Sequence, residues 1–77
     1  MQRTTVQRRA ILAALSDAPG PLTPQQVHDA ARRDHPNLGL ATVYRNLARL
    51  EEAGAITALH LHNDATRYEP SGRGHHH

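Results

Sequence analysis

The stretch Gly39-Leu40-Ala41-Thr42-Val43-Tyr44-Arg45-Asn46-Leu47-Ala48-Arg49-Leu50-Glu51-Glu52-Ala53-Gly54 constrains this chain more than any other, because its two sides make opposite demands. At about 100° per residue, Leu40, Val43, Leu47 and Leu50 share one stripe of a helix, while Ala41, Thr42, Arg45, Ala48 and Arg49 lie on the other side. The aliphatic stripe needs a core to bury it, so the rest of the chain must supply that core. Gly54 stands where helices commonly close on a left-handed residue.

The material for the core is aliphatic. With 77 residues, two tyrosines, no phenylalanine and no tryptophan, the chain makes one small domain packed from leucine, isoleucine, valine and alanine stripes. Thr4 or Thr5 can cap a first helix running from Val6 to about Asp17, with Ile11, Ala14, Leu15 and Ala18 at helical spacing. Ala18-Pro19-Gly20-Pro21 stops it. A second helix starts at Thr23-Pro24-Gln25-Gln26, where Thr23 caps, Pro24 suits the first helical position and Gln26 completes a capping box. Val27, Ala30 and Ala31 give it a narrow apolar stripe, and Asp34-His35-Pro36 ends it.

After Gly54 the periodicity changes. Ile56 to His62 alternates, with Leu59 and Leu61 on one face and His60 and His62 on the other. Asn63-Asp64-Ala65 makes a turn and Arg67-Tyr68-Glu69 returns as a strand. Three helices followed by a two-stranded hairpin form the winged helix-turn-helix, mostly α with a small β-hairpin. In that fold the third helix enters the major groove and the hairpin touches the flanking backbone.

Charge agrees with an anionic partner. The formal net charge is only +2, but all nine basic residues are arginine, whose planar fork suits phosphate and guanine edges. Arg45 and Arg49 are like charges at i,i+4, and Arg3, Arg8 and Arg9 crowd the start of the first helix, the wrong sign for the positive end of its dipole. An external polyanion relieves both mismatches; a solvated face is the plainer alternative. No cysteine is present, which excludes thiolate metal sites and cysteine nucleophiles. Ser16 and Ser71 lack evident His and carboxylate partners, and there is no glycine-rich phosphate loop, so an enzyme is not expected. No apolar run approaches the roughly 20 residues of a membrane span, and a cytoplasmic location is expected.

Leu40-Ala41-Thr42-Val43-Tyr44-Arg45, followed by Leu47, Leu50-Glu51 and Ala53-Gly54, resembles the recognition-helix signature of the ferric uptake regulator family. Upstream, Arg3, Thr5, Gln7-Arg8 and Ala10-Ile11-Leu12 resemble its first helix, and Arg67-Tyr68-Glu69 resembles the end of its wing. The resemblance implies a regulator that binds palindromic double-stranded operator DNA as a homodimer, usually repressing metal-uptake or peroxide-response genes when loaded with metal. It places Tyr44 and Arg45 in the major groove, with Ala41 and Thr42 at the helix start beside them. Arg3 resembles the basic residue that reaches the minor groove, and Gln7, Arg8 and Arg49 are expected to serve phosphates. Each has an alternative: Tyr44 could cover the core edge, and Arg49 could pair with Glu51 or Glu52.

The same resemblance implies a divalent metal, Zn²⁺, Fe²⁺ or Mn²⁺, in the full-length family. Glu69 stands where relatives place a carboxylate ligand, and His75, His76 and His77 overlap their histidines. Pro21 replaces a frequent histidine, so the set is incomplete. The expected organisation is a domain over residues 1–70 and a His-rich tail over 71–77, either the start of an interdomain segment or the remnant of a purification tag. The resemblance also implies a second, dimerising α/β domain after the wing in full members, and a chain without it is expected to be a monomer that engages one half-site weakly. A winged helix that docks on an acidic protein, and metal storage by the histidines, are the competing readings.

Overall fold

The computed structural model describes residues 3–60, 62 and 65–72, with only the backbone of Arg3 and Thr4 included. Its elements in order are α1 (Arg3–Asp17), α2 (Pro24–Ala31), α3 (Leu40–Glu52), β1 (Ile56–Leu59) and β2 (Arg67–Pro70). This is the expected architecture of three helices and an antiparallel hairpin.

The first helix starts earlier than its sequence suggests. It is already helical at Arg3, so Thr4 and Thr5 lie inside the first turn and neither is its cap. Its C-terminus comes at Asp17, which leaves Ala18 in the bend that follows. Ile11 and Leu15 are buried, whereas Ala14 is only half-buried.

The second helix begins as its residues dictate. Thr23 is extended at φ −73° and ψ 162°; its hydroxyl accepts from the Gln26 N–H at 3.2 Å, and Gln26 Oε1 accepts from the Thr23 N–H at 2.9 Å. Two amide donors with no partner inside the helix are thereby satisfied reciprocally. The helix stops at Ala31, ahead of Asp34-His35-Pro36, and a turn carries the chain to Leu38.

At the far end of α3, Gly54 adopts φ +82°, Gly54 N–H donates to Glu51 O at 3.0 Å and Ala55 N–H to Leu50 O at 2.9 Å. This paired closure turns the chain directly into β1, and a residue without Cβ is what the left-handed position requires.

The hairpin register pairs Ile56 with Pro70, Thr57 with Glu69, Ala58 with Tyr68 and Leu59 with Arg67. The first strand is shorter than the alternation to His62 suggested. Past Leu59 the ladder gives way to a side-chain bond, with His60 Nδ1 and Thr66 Oγ1 3.1 Å apart. His60 and His62 are both exposed; Leu61, Asn63 and Asp64 lie outside the described residues. A further pairing has no signal in the residue pattern: Leu22, between α1 and α2, forms a bridge with Tyr68, its N–H donating to Tyr68 O at 2.9 Å and its carbonyl accepting at 2.7 Å.

One core joins every element. Ile11 and Leu15 from α1, Val27 and Ala31 from α2, Val43, Leu47 and Leu50 from α3, Ile56 from β1 and Leu38 from the turn are buried, and Leu12, Leu22 and Tyr68 pack around them. Leu38 completes the stripe in place of Leu40, which is only half-buried at the start of α3. Burial raises the Tyr68 phenol above its ordinary pKa, with smaller contributions from Glu51 and Tyr44 nearby.

Candidate nucleic-acid interface

The apolar stripe of α3 is seated in this core, so the opposite side must face out. Ala41, Tyr44, Arg45, Ala48 and Arg49 are exposed, and Thr42 is half-buried at the margin. Tyr44 is 46% exposed, so nearly half of its surface is open to solvent. Gln25, at the start of α2, sends its Nε2 to within 3.4 Å of the Tyr44 hydroxyl. Arg45 Nη2 donates to Thr42 Oγ1 at 3.2 Å, which orients the guanidinium along the helix. Among the described residues no carboxylate pairs with Arg45 or Arg49, so the alternative of an Arg49 pair with Glu51 or Glu52 is not realised.

The first helix contributes to the same surface. Gln7 joins Thr42, Arg45, Asn46 and Arg49 around an open recess of about 110 Å³. Four of the residues named from the sequence, Gln7, Thr42, Arg45 and Arg49, line this one recess, while Tyr44 is exposed beside Gln25 of α2. Arg8 departs from that set. It is half-buried, with its Nε enclosed and without a hydrogen-bond partner, so only part of its side chain faces solvent. Arg3 is the first residue of α1 rather than a residue ahead of it, and its expected contact lies outside the described side chains.

Asn46 is a member that the sequence reading missed. It is 4% exposed, a buried polar residue on the inner side of α3; its Nδ2 donates to the Thr42 carbonyl at 2.9 Å and its Oδ1 has no partner. The signal was available: three residues after Val43 and four before Leu50, position 46 falls on the aliphatic stripe.

Of the metal candidates only Glu69 lies among the described residues. Glu69 is half-buried in β2 opposite Thr57, and His75, His76 and His77 lie outside the described residues. Among the described residues no group of three or more His, Cys, Asp or Glu could hold a metal ion. None of the described helices is long and apolar enough to cross a membrane.

A helix with an open arginine-bearing face, set on a second helix by a short turn and flanked by a hairpin, defines a winged helix-turn-helix domain. The family model described as the ferric uptake regulator family matches residues 1–77, and the chain belongs to that family. It is 38% identical over 74 residues to a ferric uptake regulation protein of Campylobacter upsaliensis, covering 94% of this chain and 47% of that protein. It is 32% identical over 75 residues to the peroxide-responsive repressor PerR of Staphylococcus saprophyticus, covering 97% and 51%. The Helicobacter pylori ferric uptake regulator Fur, a structure described as revealing three functional metal binding sites, superposes with a TM-score of 0.83 at 26% identity, over 90% of this chain and 47% of that one. The chain thus spans about half the length of the relatives it matches. Members of the family are metal-responsive transcription regulators that bind DNA.

Proposed function

We propose that this chain is the sequence-specific DNA-binding domain of a cytoplasmic, metal-responsive repressor of metal-uptake or stress genes, with α3 in the major groove of a palindromic operator. The observation that carries this reading is the exposed face of α3. Tyr44, Arg45 and Arg49 are exposed, without carboxylate partners among the described residues, beside a recess that α1 shares. In such a placement Tyr44 packs on thymine methyls and donates its hydroxyl. Arg45 forks onto a guanine edge or a phosphate, and Gln7, Arg8 and Arg49 fix the register on the backbone. Arg3 reaches the adjacent minor groove.

Metal control belongs, on this reading, to a longer homodimeric protein in which residues 1–70 form the DNA-binding domain and 71–77 lead onward. The described residues do not by themselves fit a metal, and Glu69 with His75, His76 and His77 would have to be completed by ligands from elsewhere. By itself the domain engages a half-site, so its binding is weak and salt-sensitive.

The test begins with a duplex selected by the chain from a random-sequence pool. Affinity is then measured at about 50 and 200 mM salt for the wild type, Tyr44→Ala and Arg45→Ala. Loss of preference for the selected duplex in both variants is expected. An affinity that neither substitution changes, or a wild type that shows no salt-dependent binding, refutes the reading and favours docking on an acidic protein.

A further inference from the structure

The functional surface depends on how α3 is aimed, and its entry is held by an unusual bond. Gly39, the N-cap of α3, offers no side-chain cap. The bonds along the turn are local: Leu38 N–H donates to His35 O at 3.0 Å and Val43 N–H to Gly39 O at 3.2 Å. One side chain reaches in from another element. His28 on α2 places Nε2 2.7 Å from the Leu38 carbonyl oxygen, in a part-buried setting. A carbonyl only accepts, so Nε2 carries the proton and donates. Leu38 itself is 4% exposed, which pins its side chain in the core while His28 pins its backbone.

The consequence is geometric. Arg45, assigned above to a guanine edge, lies six residues beyond Gly39, about 9 Å along the axis at 1.5 Å per residue, so a tilt of about 5° at the entry moves it by about 0.8 Å. Contacts to phosphates tolerate such a shift because the backbone is repetitive; hydrogen bonds to base edges do not. We propose that His28 is a positioning residue for base recognition, setting the angle of α3 through the Leu38 carbonyl. The inference rests on the DNA-binding reading above, and goes beyond it by naming a determinant of specificity that touches no DNA.

The experiment compares two polar variants of the whole chain. Glutamine can place its amide N–H where histidine has Nε2–H, whereas asparagine is too short to reach Leu38. His28→Gln is therefore expected to keep the ratio of selected-duplex to random-duplex affinity within about threefold of wild type. His28→Asn is expected to lower that ratio about tenfold, the effect of one hydrogen bond, with random-duplex affinity changed less than about twofold. Thermal melts of both variants set the assay temperature well below unfolding, so that lost stability does not pass for lost specificity. A His28→Asn variant with the wild-type ratio overturns the proposal, as does a His28→Gln variant that loses as much as Asn. A wild-type chain with no preference between the two duplexes overturns the functional reading itself, and the inference with it.

Discussion

Asn46→Leu is expected to stabilise this domain. The residue is 4% exposed between Val43 and Leu50, and its Oδ1 is buried without a partner. A buried acceptor left unsatisfied costs about 1–3 kcal/mol, and the Nδ2 bond to the Thr42 carbonyl returns about 0.5–1.5 kcal/mol. Leucine removes both terms and adds apolar burial of about 25 cal/mol per Å² on a side already lined by Val43, Leu47 and Leu50, offset in part by any crowding. The net gain is about 1 kcal/mol. In a domain of this size that amounts to a rise in melting temperature of about 4–8 °C. Circular dichroism melts and urea titrations of the wild type, Asn46→Leu and Asn46→Ala measure it. Alanine serves as the cavity control and is expected to fall below leucine. A leucine variant that melts below the wild type while keeping the wild-type urea slope refutes the reasoning, because Oδ1 would then be satisfied in solution.

Other expectations follow from particular residues. Arg45→Ala and Arg49→Ala are each expected to lower the slope of log affinity against log salt by about 0.9 where the guanidinium meets a phosphate; an unchanged slope in both variants contradicts the assigned contacts. Gly54→Ala meets nothing within 4 Å but must hold φ +82°, so it is expected to cost about 1–2 kcal/mol from backbone strain alone, read as a lower urea midpoint. Thr23→Ala removes the hydroxyl half of the capping box and is expected to cost about 1 kcal/mol, again read from denaturation. The Tyr68 phenol has a raised pKa, so folding favours its protonated form. That stabilisation is complete below the unfolded value of about 10 and is lost as pH rises through the higher folded value. Melts across alkaline pH should flatten in Tyr68→Phe relative to the wild type.

The parts of the fold legible beforehand are those in which local chemistry and burial agree. Thr23-Pro24-Gln25-Gln26 announces α2 because each residue satisfies a stated need of a helix start, and Gly54 ends α3 because the closure requires a left-handed residue. The outer face of α3 was legible for the same reason, since Leu47 and Leu50 fix which side is inside. The start of α1 was misread because a threonine is a good cap only where the chain is still extended, and the residues ahead of Thr4 carry no local sign of being helical. Leu38 and Leu22 escaped notice because each sits alone in a connection, outside any periodic stripe, and is placed by what packs on it from a distance. Asn46 shows the converse failure: a polar residue on an apolar stripe is readable only if the stripe is trusted over the residue type. His28 could not be found from spacing at all, since its partner is a backbone carbonyl ten residues on.

The bridge between Leu22 and Tyr68 alters how the hairpin answers to load. Leu22 is covalently next to the Thr23 cap, and Tyr68 is the middle of the returning strand, so a push on the wing travels straight into the first turn of α2 instead of being absorbed by a slack connection. Hairpin and helix pair are therefore joined through the backbone as well as through the core, so a displacement of the returning strand has a direct covalent and hydrogen-bonded route to the helices.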